Sequence, residues 1–186
     1  NAGDAKVKGV EAEIFATPIV GLQFDLSGSY LDWEWKCVNP AVVGGASGPC
    51  TSNPAVINLL SSTPIGFIKE QAHAGIQYEF HLSNNGSSLT PRFDVTYQGA
   101  APGSNLRAGA GTPSDIYGRV SGFTVANAHL TLRNAKKNLE ATLEVTNVLN
   151  RYYFYSKFDL TGAGQGAITG SPAPPLAWAL TVKKSF

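Results

Sequence analysis

Apolar and polar residues alternate with a period of two along most of the chain, the pattern of a β-strand with one apolar face. In the clearest stretch, residues 71–82, Ala72, Ala74 and Ile76 share one face, whereas Gln71 and His73 share the other. The segments with this pattern are residues 9–16, 22–30, 71–82, 89–98, 126–133, 139–146 and 176–183. The sequence contains no helical pattern, so it predicts an all-β protein with about seven strands.

The connections between these segments alternate in length. Short connections span residues 17–21, 83–88 and 134–138, and the second contains an Asn85–Gly86 pair that favours a tight turn. Long connections, rich in Gly, Pro and Ser, span about 36–64, 99–117 and 150–174. The long connections of an antiparallel up-and-down sheet therefore emerge at one end, which is typical of a transmembrane β-barrel.

Three observations indicate that the apolar face points to lipid. Several alternating segments have the length of about 9–11 residues that a tilted strand needs to cross a bilayer. Large polar or ionisable residues occupy the other face: Glu11, Glu13, Gln77, Glu79, Arg92 and Asp94. Aromatic residues stand towards the ends of the apolar faces, as in an interfacial girdle: Tyr30, Phe80, Tyr97 and Trp178.

Composition and charge exclude other classes. The 186 residues include 14 Lys or Arg and 13 Asp or Glu, a net charge of +1 that does not suit a nucleic-acid-binding protein. No apolar run approaches the ~20 residues of a membrane helix. Because methionine is absent, we expect Asn1 to lie inside a longer translation product.

Three segments resemble conserved parts of TonB-dependent receptors. Residues 1–13 (NAGDAKVKGVEAE) resemble their N-x-G-x-A-x-x-x-G-x-E-x-E strand, and residues 145–153 (VTNVLNRYY) resemble their penultimate strand. Residues 172–186 (PAPPLAWALTVKKSF) resemble their closing strand with its terminal Phe. Two departures are Pro175 in place of an Arg that often precedes the last strand, and Lys184 at a position expected to be apolar.

The resemblance implies that residues 1–186 are the C-terminal part of the β-barrel of an outer-membrane transporter in a Gram-negative bacterium. Such receptors take up a scarce nutrient, commonly a ferric siderophore, and have about 22 strands, so about 15 would lie upstream. The resemblance also implies its partners: outer-membrane lipid, the upstream strands and plug domain of the same protein, the TonB complex and the barrel-assembly machinery. The closing strand would provide the assembly signal through Trp178, Leu180, Val182 and Phe186.

Two other interpretations remain open. The chain could be a small self-contained outer-membrane barrel, or a soluble β-barrel that binds a ligand. Both need an eighth strand, for which residues 55–60 are the one candidate segment.

Two sets of residues are candidates for a site. Cys37 and Cys50 lie in the first long connection, where an even pair of cysteines outside the cytoplasm favours a disulfide over a metal site. Aromatic residues that could line a ligand entrance, or belong to the interfacial girdle, are Trp33, Trp35, Tyr152, Tyr153, Phe154 and Tyr155. Arg107 and Arg151 are weaker candidates for attracting an anionic chelate.

The remaining polar residues do not indicate an enzyme, a metal site or a cofactor. His73 and His81 lie about 27 Å apart along a strand and cannot share a metal ion. The histidines (with His129) and the pairs Glu11–Glu13 and Glu140–Glu144 are interpreted as lining a lumen or contacting a plug. Residues 162–166 (GAGQG) lack the Lys and helix of a phosphate-binding loop, so we predict a plain loop.

Overall fold

The computed structural model describes residues 2–82, 86–161 and 164–186. In these ranges the strands are β1 (Gly3–Ile19), β2 (Leu22–Val38), β3 (Glu70–Tyr78), β4 (Phe80–His81), β5 (Ser88–Gln98), β6 (Ala101–Pro102), β7 (Arg119–Val120), β8 (Phe123–Arg133), β9 (Leu139–Thr146), β10 (Phe154–Asp159), β11 (Ile168–Pro172) and β12 (Ala177–Lys184). Short helices are a 3₁₀-helix (Pro40–Val43), α1 (Pro54–Ile57) and α2 (Pro113–Tyr117). No helix within the described ranges has the length and apolarity to cross a membrane. The prediction of an all-β chain is confirmed.

One antiparallel sheet contains all the predicted strands. Its order is β1-β2-β3-β5-β8-β9-β12, and β4 continues the line of β3 by pairing with β5. Consecutive strands are therefore neighbours, which confirms the up-and-down order. Among the described residues, β1 and β12 each pair with one strand of this sheet, so the sheet has two open edges.

The first two strands are longer than predicted. Both have 17 residues, and they pair from the turn at Val20–Gly21 outward as far as Gly3 and Val38. The sequence pattern ended near Tyr30 because charged residues follow on both strands, with Lys8 opposite Asp32. Beyond Tyr30 the apolar residues change face, to Leu31, Trp33 and Trp35. The backbone ladder continues, because pairing does not depend on which face is apolar.

The predicted strand over residues 71–82 is divided at Glu79. The N–H of Glu79 donates to the carbonyl oxygen of Gly21, 2.8 Å away, and Pro91 on the neighbouring strand has no N–H to offer. Residue 85 of the predicted Asn-Gly turn lies outside the described residues.

The sheet has one apolar and one polar face, as the alternation predicts. A row across the apolar face contains Ala16, Phe24, Ile76, Phe93, Ala128, Val145 and Trp178. A row across the polar face contains Gln23, Gln77, Arg92, His129, Glu144 and Ala179. The apolar row is not covered by the chain itself, since Trp178 is 71% and Ile76 51% exposed.

The segment proposed as an eighth strand is not a strand. Asn53 caps α1 by accepting a hydrogen bond from Ala55, and Pro54 occupies the first helical position, which favours a helical turn. Leu60, at the end of the segment, forms a single bridge to Leu106. The self-contained barrel and the soluble barrel therefore lose the strand that each required.

The long connections carry structure that the sequence did not predict. We call them loop A (39–69), loop B (99–122) and loop C (147–176), and the end where they lie the long-loop end. Loop B contains the β6–β7 pair, and loop C contains the β10–β11 hairpin. Most of the buried apolar side chains lie in or beside these loops: Val38, Leu60, Ala101, Val120 and Ala173.

A candidate ligand site at the long-loop end

Loops A and B are joined by backbone hydrogen bonds. The Ser61 N–H donates to Asn105 and the Arg107 N–H donates to Leu59, each over 2.8 Å. The Ser61 hydroxyl lies 2.9 Å from the carbonyl oxygen of Ser104, and Leu60 is 1% exposed between the two loops. These contacts fix the position of Arg107 at the long-loop end.

Loop C is joined to loop B in the same way. The Asp159 N–H donates to the Gly103 carbonyl oxygen over 2.9 Å, and Lys157 Nζ donates to the Tyr117 carbonyl oxygen over 3.0 Å. The Cβ of any larger residue at Gly103 would collide with the carbonyl oxygen of Gly118, so this close approach requires glycine.

A cavity of about 530 Å³ lies where the three loops meet. Its charged lining residues are Lys69, Glu70, Arg107, Asp115, Arg119 and Asp159. The rest of the lining is mainly Ser, Thr, Gly, Ala and Pro, and no aromatic side chain of the described chain lines it. Its size falls in the range of small-molecule sites, and its charges can recognise a polar ligand.

Asp159 is held as a carboxylate at the wall of this cavity. Burial raises its pKa, but hydrogen bonds from Thr161 and Ser114 outweigh burial and hold the pKa below its ordinary value. Thr161 donates from its hydroxyl over 2.5 Å and from its N–H over 3.0 Å. The hydroxyls of Ser114 and Thr161 are also in contact, which ties α2 to loop C.

Cys37 and Cys50 form a disulfide at the base of loop A, with Cα atoms 5.5 Å apart. Val38 and Thr51 exchange two backbone hydrogen bonds of 2.9 Å beside it. The bridge therefore holds the start of loop A against the tip of β2.

The six aromatic residues that could line a ligand entrance do not form one cluster. Trp33 and Trp35 lie on the polar side of β2, the side that also carries Asp25. They pack against each other with ring centroids 5.1 Å apart. Trp33 also packs on Phe67, and Trp35 Nε1 donates to the Ser61 carbonyl oxygen over 3.3 Å. The two indoles thus support loop A from beneath and are not part of an aromatic girdle on the apolar face.

The predicted tyrosines form a second group, on loop C. Tyr153 stacks on Phe123 with centroids 4.2 Å apart, and burial, with a hydrogen bond to Tyr155, raises the pKa of Tyr153 to about 12. Tyr152 and Tyr155 are 76% and 57% exposed. Neither group lines the cavity.

A charged network on the polar face extends further than the sequence indicated. Arg92 Nη2 lies 2.6 Å from Asp94 and 2.9 Å from Asp25, and His73 Nε2 lies 2.9 Å from Asp25. Gly75 makes this possible, because a Cβ there would meet the Arg92 guanidinium and both Asp25 oxygens. Asp25 was not singled out from the sequence, although the alternation places it on this face.

The same carboxylates have the spacing of a metal site. One ligand atom each from Asp25, His73 and Asp94 lie within 4.8 Å of one another. Arg92 already supplies the cation between the two carboxylates, so the arrangement is that of an ion-pair network.

Comparison with known proteins identifies the fold. No family model and no curated protein matches the chain. Solved structures that match include the ferric yersiniabactin uptake receptor FyuA of Yersinia pestis (TM-score 0.70, 15% identity, 100% of this chain and 24% of that one) and the siderophore receptor PiuA of Acinetobacter baumannii (0.67, 19%, 98% and 22%). The ferric preacinetobactin receptor BauA of Acinetobacter baumannii also matches (0.63, 16%, 100% and 23%). The chain has the fold of part of a TonB-dependent siderophore receptor.

The receptor fold confirms the resemblance that three segments of the sequence carried. The chain spans less than a quarter of the length of these receptors. The proteins that it resembles are receptors and not enzymes.

In this receptor fold, β12 is the strand that the sequence identified as closing. Trp178, Leu180 and Val182 lie on the apolar face opposite Val145, Leu143 and Ala141. Lys184, which departed from the expected pattern, lies at the strand end with its Nζ 5.0 Å from the centre of the Phe186 ring. The cation is thus placed over the terminal ring and not within the apolar band.

Proposed function

We propose that the chain is the C-terminal part of the barrel of an outer-membrane TonB-dependent receptor that takes up a ferric siderophore. The observation that carries this proposal is the match of the whole chain to siderophore receptors at TM-scores of 0.70 and 0.67. In this arrangement the apolar face contacts lipid, the polar face lines the lumen, and the long-loop end is extracellular.

The exposure of the apolar face supports this placement. Side chains such as Phe93 and Leu180 are 42% and 62% exposed, and a water-soluble protein would cover a surface of this kind. The open edges of β1 and β12 also require partner strands, because unpaired backbone groups are costly in lipid. We propose that upstream strands of the same protein supply them, with a plug domain inside the barrel and a TonB contact through that domain.

We propose the loop cavity as a part of the ligand-binding surface. Arg107 and Arg119 can attract a chelate with free carboxylates, and Tyr152 and Tyr155 stand exposed on loop C. Trp33 and Trp35 would act indirectly by holding loop A.

Uptake of radiolabelled ferric siderophores by iron-starved cells tests the function. Deletion of the gene should abolish uptake of at least one chelate, and so should deletion of TonB in cells that retain the gene. Normal uptake of every tested chelate in the gene deletion would overturn the proposal.

A pair of loop variants tests the cavity. Arg107→Gln with Arg119→Gln should weaken binding of the chelate about tenfold, since each charge contributes a modest long-range attraction. Lys136→Gln, in the short turn at the other end of the sheet, is the control, because it also replaces a cationic side chain by Gln. Equal affinity of the double variant and the control would remove the cavity from the proposal and leave the uptake function untouched.

A further inference from the structure

The cavity between the loops carries charges of both signs that do not neutralise one another. Arg107 and Arg119 supply positive charge to its lining, and Asp115 and Asp159 supply negative charge. Among the described residues, none of these four side chains has an oppositely charged group within 4.0 Å. The four charges are therefore available to a ligand that carries charges of its own.

The two aspartates are held in place by neutral hydrogen-bond donors. Asp115 accepts from the Gly111 N–H over 3.0 Å, and Asp159 accepts from the Thr161 N–H over 3.0 Å. A neutral donor orients a carboxylate and leaves its charge in place, and each carboxylate can accept further hydrogen bonds. An ammonium group of a ligand can therefore form a charge-assisted hydrogen bond with either carboxylate without displacing a cation.

The two arginines are exposed and both lie in loop B. Arg107 Nε lies 3.4 Å from the Leu60 carbonyl oxygen, and its two terminal nitrogens form no hydrogen bond within the described chain. Terminal guanidinium nitrogens bind a carboxylate through two parallel hydrogen bonds. The cavity can thus bind an anionic group and a cationic group of one ligand.

The balance of charge distinguishes two classes of ferric chelate. Three basic and three acidic residues line the cavity, so a strongly anionic chelate meets attraction and repulsion in similar measure. A ferric tris-catecholate is such an anion, whereas a ferric trihydroxamate has a neutral iron centre and takes its charge from its end groups. Catechol rings also favour aromatic partners, and none of the described aromatic side chains lines the cavity.

We infer that the ligand of this cavity is a zwitterionic ferric hydroxamate. Its free carboxylate would bind Arg107 and Arg119, and its free ammonium group would bind Asp115 and Asp159. The hydroxyl groups of the lining, such as that of Ser62, can form hydrogen bonds with the amide groups between the hydroxamates. The inference rests on the proposed uptake of a ferric siderophore and adds the class of chelate.

Four forms of one linear ferric trihydroxamate, of the desferrioxamine type, test the inference on the full-length receptor in mild detergent. One form has both a terminal amine and a terminal carboxylate, one has the amine acetylated, one has the carboxylate amidated, and one has both ends blocked. The zwitterion should bind about tenfold more tightly than either singly blocked form, since each end forms a charge-assisted hydrogen bond. Isothermal titration calorimetry measures the four affinities.

Variants assign each end of the chelate to its residues. Asp115→Asn should remove the advantage of the free amine and keep that of the free carboxylate, because Asn can still accept from the Gly111 N–H. Arg119→Gln should do the reverse. Asp115→Glu retains the charge and should retain the preference for the free amine. Glu140→Gln and Lys136→Gln, at the other end of the sheet, are the matched controls and should change neither preference.

Three results would overturn the inference: equal or tighter binding of the doubly blocked form, tighter binding of a ferric tris-catecholate than of the zwitterion, or no binding of any of the four forms. Uptake by iron-starved cells separates this failure from that of the proposed function. TonB-dependent uptake of another class of ferric chelate would refute the zwitterion alone, whereas a gene deletion without effect on any chelate would refute the transporter as well.

Discussion

The sheet and the loops above it obtain their stability from different surroundings. The loops bury Leu60 and Val120 among themselves and join through backbone hydrogen bonds. The sheet leaves Trp178 and Ile76 more than half exposed, so its apolar side is completed by something outside this chain. In the proposed membrane placement, substitutions should act in the sheet through the lipid, and in the loops through contacts made within the chain.

A charge on the apolar face should have the largest effect. Ala74 lies mid-strand between Leu26 and Val95. In the proposed membrane placement an Arg there would face hydrocarbon, which costs about 2–4 kcal/mol at the bilayer midplane. Urea unfolding of the full-length receptor in lipid vesicles measures this loss for Ala74→Arg. Ser27→Arg, at the same depth on the polar face, should cost less than about 1 kcal/mol. Equal costs for the two variants would show that the apolar face does not contact lipid.

Loss of the disulfide should have the next largest effect, confined to loop A. Cys37 and Cys50 are separated by 13 positions, and a closed loop of this size contributes about 3 kcal/mol in the chain-entropy model. Cys37→Ser with Cys50→Ser should increase hydrogen exchange in residues 39–69 while the β8–β9 pair keeps its protection. A loss of protection throughout the sheet would contradict the separation of the two regions.

The charged network on the polar face should contribute less stability than the disulfide. It should contribute more than an exposed ion pair on the same face. Arg92→Gln leaves Asp94, whose side chain is 12% exposed, without its cation, at an expected cost of about 1–3 kcal/mol. Arg133→Gln breaks a pair with Glu140 that is 46% and 35% exposed, and should cost less than about 1 kcal/mol. Both are measured by urea unfolding in vesicles. The ranking would be wrong if the Arg133 variant were the less stable.

The sheet could be predicted from the sequence because one of its faces is apolar and the other is polar. Each strand repeats the same alternation of apolar and polar residues, as at Leu143 and Thr142. The position of each strand in the sequence, together with the lengths of the connections, then predicted the strand order and the end that carries the loops. The outer parts of β1 and β2 could not be predicted in this way, because Lys8 and Asp32 occupy the otherwise apolar face there, while Trp33 lies on the other face.

The loop cavity could not be predicted because its residues meet only in three dimensions. Ser61 reaches Ser104 across 43 positions, and the contact between Ser114 and Thr161 spans 47. No local pattern encodes such pairs. The aromatic residues, by contrast, were conspicuous in the sequence, yet Trp33 and Trp35 hold a loop in place and do not line the cavity.

The smallest effect should come from acid, and should appear in the loops before the sheet. The pKa of Asp159 is held below its ordinary value of 3.8, so its stabilising effect is complete above that value and is lost as the pH falls through the lower, folded pKa. The loss should be about 1 kcal/mol and should loosen the contact between Asp159 and Gly103. Hydrogen exchange at these amides, corrected for the intrinsic rate, measures it.

Thr161→Val sharpens this prediction, because it removes the hydroxyl that donates to Asp159 over 2.5 Å. The folded pKa should then rise, and the loops should open at a higher pH than in the unmodified receptor. Thr131→Val removes a comparable hydroxyl contact in the sheet, 3.2 Å to Thr142, and should leave the pH profile of the loops unchanged. If both variants shifted the pH profile of the loops equally, loops and sheet would unfold as one cooperative unit. The loops around the cavity would then not have a stability separate from that of the sheet.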